Sequence, residues 1–135
     1  MNDKTFIDSN VILYLFSNDA KRKSYVQTLF TNQYFISTQV VNENVNVCLR
    51  RLKLPQQDAF NHGRNLLSSF NLLFIYRTTI ENCYLLCTKY NFSFWDGLIV
   101  ATALENSCAI LLSEDMQDGL RVEGKLTIKN PFTGL

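Results

Sequence analysis

The stretch FSFWDGLIVATALENSCAILLSEDMQDG, residues 92–119, reads as a helix, a turn and a strand that ends in acid. Ser93 followed by Asp96 has the spacing of a capping box, so a helix opens there and runs to about Asn106. Its interior, GLIVATAL, is apolar nearly all round, as a mostly buried helix is. CAILL (108–112) follows as a short apolar run of strand length. Just beyond it Glu114, Asp115 and Asp118 crowd together, although like charges repel. A buried helix feeding a buried strand belongs to a parallel α/β arrangement, and such sheets gather function at the carboxyl ends of their strands.

The rest of the chain alternates in the same way. TFI (5–7) is a short strand ended by Asp8-Ser9-Asn10, and VILYLF (11–16) is helical or strand-like on pattern alone. Ser17-Asn18-Asp19 offers caps for a helix from Ala20 to about Asn32, with Tyr25, Leu29 and Phe30 inward. YFIS (34–37) is a second strand. The next helix, from about Thr38 to Leu52, lines up Val41, Val45, Cys48 and Leu52 on one stripe. Pro55 suits the first position of a helix reaching Ser69, and NLLFIY (71–76) is a third strand. Thr78 with Glu81 forms a capping box for a helix to about Tyr90, and LTIK (126–129) closes the chain as a strand. Strands separated by helices, with no tight hairpin among the first four, predict an α/β domain over residues 1–135. Its central sheet should be mostly parallel, with four to five short strands and helices on both faces.

Composition narrows the chemistry. A chain of 135 residues with 47% hydrophobic and 19% charged residues can bury a core without disulfides or a structural metal. No apolar run reaches the roughly 20 residues of a membrane span, and MNDKTFIDSN is no secretory leader, so no membrane and a cytoplasmic location are expected. The cysteines Cys48, Cys83, Cys87 and Cys108 contain no CxxC pair and read as buried reduced thiols. His62 is the single histidine, in a polar stretch, which argues against histidine acid–base chemistry. A net charge of +1 announces no nucleic acid, yet basic residues cluster at KRK (21–23) and RRLK (50–53). Each cluster is either a solvated helix face or a set of phosphate contacts.

Two further acids sit awkwardly. Asp96 begins the apolar helix, either as a capping carboxylate or as part of a site. Glu43, in VVNENVNV, lies at the border of its helix's packed stripe, where a carboxylate is commonly solvated. Trp95 can stack a base or pack in the core, and packing is favoured. If Asp8, Glu43, Asp96 and Asp115 converged without a cation, repulsion and desolvation would raise their pKa values or weaken the fold. A hard divalent cation removes that cost, and carboxylates with waters suit Mg²⁺ or Mn²⁺. Phosphodiester hydrolysis is the matching reaction class.

These segments resemble PIN domains, and most closely toxin nucleases of the VapC type from bacterial toxin–antitoxin pairs. FIDSNVILYLF is similar to the opening strand with its first acid, at Asp8. STQVVNENVNVCLR resembles the segment of the second acid, at Glu43, and the opening stretch resembles that of the third and fourth, at Asp96 and Asp115. IKNPF is similar to the closing strand. Asn44 and Gly97 depart from the pattern, where a large apolar residue and an alanine are usual.

The resemblance implies a PIN-like three-layer fold and a Mg²⁺- or Mn²⁺-dependent endoribonuclease that hydrolyses RNA with a metal-activated water. Asp8, Asp96 and Asp115 would hold the metal and Glu43 would help position the water. Ser9, Asn10, Ser113 and Asp118 would be accessory groups, with Asp118 equally able to cap its turn, while Glu114 would face solvent. Arg22, Lys23, Arg50, Arg51 and Lys53 are candidate RNA phosphate contacts. A small antitoxin and a homodimer are the implied partners. The alternative is a non-catalytic PIN-like module that binds nucleic acid or protein. Another Mg²⁺-dependent phosphoryl enzyme is disfavoured, because no second Asp of a DxDxT motif follows Asp8 and no GxxxxGK loop is present.

Overall fold

Very short strands make the centre of the molecule, and the first two, at 5–7 and 35–37, are cut off at once by a capping residue, Asp8 and Ser37, that starts a helix. The computed structural model describes residues 3–135. Strand β1 (Thr5–Ile7) runs into α1 (Ser9–Ile12) and a 3₁₀ helix (Leu13–Phe16). Then come α2 (Ala20–Gln27), β2 (Phe35–Ser37), α3 (Thr38–Arg50) and α4 (Gln56–Ser69). They are followed by β3 (Asn71–Leu73), α5 (Arg77–Tyr90), α6 (Phe94–Glu105), β4 (Ile110–Leu112), β5 (Arg121–Val122) and β6 (Leu126–Lys129).

The sheet order is β3-β2-β1-β4-β6-β5, parallel throughout except for the antiparallel β5–β6 pair. This is the mostly parallel α/β sheet that the alternation predicts. From β1 the chain winds one way to β2 and β3 and the other way to β4 and β6, so the topological switch lies between β1 and β4. Ile7 pairs with Leu112 in register, which brings Asp8 and Ser113, one step further on, to the same end of the sheet. Phe6, Ile7, Ile36, Leu111 and Ile128 are fully buried, as are Val100 and Ala103 of α6. Each large apolar side chain so buried contributes about 1.5–3 kcal/mol. All four cysteines are free thiols.

Several boundaries differ from the expectation. A sixth strand appears, because the two-residue β5 is too short to leave an apolar run. Helix α2 stops at Gln27, and β3 stops at Leu73, leaving Phe74 and Tyr76 exposed rather than paired. Thr78 and Glu81 do not box the start of α5: the Tyr76 N–H donates to Thr79 Oγ1 at 3.0 Å, and Thr78 donates to Glu105 instead. Pro55 precedes α4 as its cap residue rather than filling the first turn. Helix α3 ends at Arg50, so Leu52 leaves the packed stripe and is 36% exposed.

Candidate active site

Asp8 ends β1 and caps α1, accepting from the Ser9 N–H at 2.7 Å, and is buried. Its second oxygen accepts from Ser113 Oγ at 2.9 Å and from Asn10 Nδ2 at 3.2 Å. Asn10 stitches the two strand ends together, because its Oδ1 also accepts from the Glu114 N–H at 3.1 Å. Ser9 Oγ donates to Glu43 Oε1 at 2.5 Å, tying β1 to α3. Gln39, one turn before Glu43, donates from Nε2 to Glu43 Oε2 and to the Trp95 carbonyl, both at 3.2 Å. The ends of β1 and β4 and the helices α3 and α6 are thereby locked around two carboxylates.

Asp96 lies in the first turn of α6, where the Ser93 hydroxyl accepts from its N–H at 3.2 Å, as the capping-box spacing predicts. Asp8, Glu43, Asp96 and Asp115 all line one cavity of about 660 Å³. They come from the end of β1, from α3, from α6 and from the loop after β4, and Asp115 is solvent-exposed. Burial pushes the Asp8 carboxyl up to about 7, and the Asp96 and Glu43 carboxylates add to that rise against the Ser113 and Ser9 hydrogen bonds. Burial raises Asp96 too, with Asp115 and Glu43 contributing and the Ser93 hydroxyl opposing. The site therefore resists accumulating negative charge by itself.

That resistance, with an all-oxygen donor set, fits a hard divalent cation. Among the described residues, no three His, Cys, Asp or Glu side chains form a group that could hold a metal ion as they stand. Mg²⁺ keeps several waters and takes only one or two carboxylates directly, so a closed protein shell is not required of such a site.

The other expected residues divide. Ser9, Asn10 and Ser113 are hydrogen-bonded to the cavity carboxylates. Asp118 is not on the cavity; its Oδ1 accepts from the Asn130 N–H at 2.8 Å and fastens the loop to the segment after β6. Glu114 does not face solvent. It takes a hydrogen bond from Tyr14 Oη at 2.6 Å, lies 3.6 Å from Arg22 and helps line the cavity. Arg22 is consequently no free phosphate contact: it also pairs with Asp19 at 3.0 Å and lies over the Tyr14 and Phe132 rings. Lys23, Arg50 and Lys53 are exposed but off the cavity, and Arg51 alone of the five stands on its rim. Trp95 is 60% exposed rather than packed.

Sequence reading missed Gln39 and the apolar side of the cavity, formed by Leu13, Phe16, Val47 and Leu52. Gln39 carried one usable signal, a polar residue four before Glu43 on the same helix face. The two departures from the expected pattern are explained locally. Asn44 is fully buried, donating to the Val40 carbonyl at 3.1 Å and accepting from His62 Nε2 at 3.0 Å. Gly97 faces the Cys83 and Cys87 sulfurs, leaving no room for a methyl group.

The PIN domain family model matches residues 5–118. No curated protein matches the chain. Among solved structures, a toxin–antitoxin complex from Klebsiella pneumoniae superposes with a TM-score of 0.71 at 22% identity, over 96% of this chain and 98% of that one. A DNA-bound VapBC from Salmonella typhimurium gives 0.69 at 15% identity, over 95% and 98%. VapC20 of Mycobacterium tuberculosis, described as a sarcin–ricin loop cleaving toxin, gives 0.68 at 15% identity, over 83% and 90%. At these identities the likeness establishes the fold.

Proposed function

The chain belongs to the PIN domain family, and from that premise we propose that it is a metal-dependent endoribonuclease, the toxin of a toxin–antitoxin pair, acting on cytoplasmic RNA. The observation that carries this reading is the meeting of Asp8, Glu43, Asp96 and Asp115 in one cavity at the topological switch of the sheet. Four acids from distant segments, one of them buried and resisting ionisation, make sense as cation ligands and poorly as solvated surface.

Asp8, Asp96 and Asp115 are the groups to hold Mg²⁺ or Mn²⁺, which when bound activates water and offsets charge developing on the phosphoryl group. Glu43 is steered by Ser9 and Gln39, and its carboxylate orients the attacking water and takes its proton. Ser113 and Asn10 hold Asp8 in one orientation. Arg51 at the rim contacts a phosphate and offsets the repulsion between RNA and the acids. Cleavage by water leaves a 5′-phosphate and a 3′-hydroxyl.

The toxin assignment is supported by neighbours that are themselves toxin–antitoxin complexes, and the implied partners are a small antitoxin and a second copy of the chain. An exposed stripe along the start of α5, its cap residue Tyr76 with Ile80 and Tyr84, joined by Phe94 and Trp95, supports an apolar contact of that kind. Among the described residues no helix is long and apolar enough to cross a membrane.

The test is incubation of purified protein with total RNA and Mn²⁺, with and without EDTA, beside Asp8→Asn and Asp96→Asn. Cleavage should require the metal and fall at least a hundred-fold in each variant. Cleavage that survives chelation, or is equal in all three proteins, rejects the reading, and no cleavage by wild type leaves the non-catalytic binding module.

A further inference from the structure

Together with the acids, the cavity is lined by an aromatic ring. Phe16, the last residue of the 3₁₀ helix, is 39% exposed, and Leu13, Val47 and Leu52 continue an apolar wall beside it. One chamber thus pairs a carboxylate floor, suited to a cation and a phosphate, with a wall suited to a ring. A nucleotide has this same polarity, an anionic end and a flat apolar end.

The ring is held rather than free. His62 of α4 packs against Phe16 edge to face, with centroids 4.9 Å apart and planes at 82°. His62 is in turn fixed by Asn44, whose Nδ2 donates to the Val40 carbonyl, so its Oδ1 is the acceptor and His62 carries its proton on Nε2. Burial lowers the His62 pKa, which keeps the ring uncharged against Phe16. Asn44 follows Glu43 directly, so α3 sends one side chain to the acids and the next to the histidine that supports Phe16.

We propose that Phe16, set in place by His62 and Asn44, is the stacking platform for a base flanking the scissile phosphate of the RNA. Rings stack on any base, so this contact gives affinity and register without reading sequence. Arg51, on the same rim, takes a neighbouring phosphate. The inference rests on the nuclease reading for the identity of its ligand, and its test does not depend on turnover.

The probe is a labelled RNA pentamer with an uncleavable phosphonate at its second linkage, together with two pentamers each lacking one of the bases flanking that linkage. Binding is measured with Mn²⁺ present. Phe16→Ala should weaken the intact pentamer roughly ten-fold. One abasic pentamer should be weakened to a similar degree, and combining the two changes should cost nothing further. Phe16→Trp should restore affinity. A double variant, His62→Leu with Asn44→Leu, removes both partners of the buried polar pair and so should fold, while binding the intact pentamer about three-fold more weakly. On a cleavable substrate, Phe16→Ala should raise KM and leave kcat within two-fold.

Affinity within two-fold of wild type in Phe16→Ala, or an equal loss for intact and both abasic pentamers, overturns the proposal. So does loss of self-association in Phe16→Ala with pentamer binding intact, which would assign the wall to a protein contact. Wild type showing the coupling without cutting RNA would sink the nuclease reading and leave the platform standing. RNA cleavage without the coupling would do the reverse.

Discussion

Gly97 on α6 and Cys87 on α5 occupy each other's only space: a Cβ added at residue 97 would run into Cys87 Sγ and stand 3.3 Å from Cys83 Sγ. Both thiols also reach the start of α6, Cys83 toward the Phe94 carbonyl and Cys87 toward the Ser93 carbonyl, each at 3.4 Å. Helix propensity alone would favour alanine at 97 by about 1 kcal/mol. Overpacking costs typically 1–3 kcal/mol and wins here. Gly97→Ala should lower stability by roughly 1–2 kcal/mol in urea unfolding. Adding Cys87→Ala should recover most of that loss, and additive losses would contradict the packing account.

Asp8 sets one pH dependence. Its carboxyl holds a proton up to about 7 in the folded chain, against about 3.9 when unfolded. The folded state therefore binds more protons than the unfolded state between those values. The contribution of Asp8 to metal-free stability is full below about pH 4 and is lost as pH rises to about 7. Asp8→Asn should remove this slope and stabilise the metal-free protein at pH 8 by roughly 1–3 kcal/mol. Mn²⁺ should raise the melting temperature of wild type at pH 8 by mass action, and raise it less in Asp96→Asn. Equal shifts in both proteins would count against a shared cation site.

Arg22 and Arg51 lie in comparable basic clusters but should behave differently. Arg22→Gln removes the pairing with Asp19 and Glu114 and should cost about 1 kcal/mol of stability, leaving the salt dependence of RNA binding unchanged. Arg51→Gln should spare stability and reduce the slope of log K against log salt by about 1. Binding at several salt concentrations separates the two. A reduced slope in Arg22→Gln would show that its pairing opens for RNA.

His62 supplies the opposite pH limb. Burial holds its pKa below the ordinary value, so the unfolded chain takes up its proton first as the solution is acidified. Stability from this group is present above about pH 6.5 and is lost as pH falls through the folded pKa. Asn44→Leu alone strands His62 Nε2 and should cost about 1–3 kcal/mol. The double variant with His62→Leu should cost less than the single one and flatten the acid limb.

Much of this was legible in the sequence because alternating strands and helices leave local signatures. The Ser93 cap, the GLIVATAL run and the acids just after β1 and β4 are each readable within a few residues. What escaped depended on distant partners. Glu114 looked solvated because its neighbours in sequence say nothing of Tyr14 and Arg22, about a hundred positions away. Trp95 looked like core, yet its ring stays open to solvent at the start of α6. Arg22 and Arg51 cannot be ranked from composition, since the difference lies in which carboxylates the fold brings to them. Two-residue strands such as β5 fall below the length at which period-2 alternation can be seen.

The loop after β4 has a kinetic consequence. Its Glu114 is fastened to Asn10, Tyr14 and Arg22, its Met116 is buried, and its Asp118 holds the Asn130 N–H. Between these moorings Asp115 lines the cavity from an exposed position. No stretch of backbone has to open for an ion to arrive or depart. Exposed side chains change rotamer in picoseconds to nanoseconds, so the protein adds no slow gate of its own to ion exchange. Occupancy by the proposed cation should then follow free cation concentration without lag.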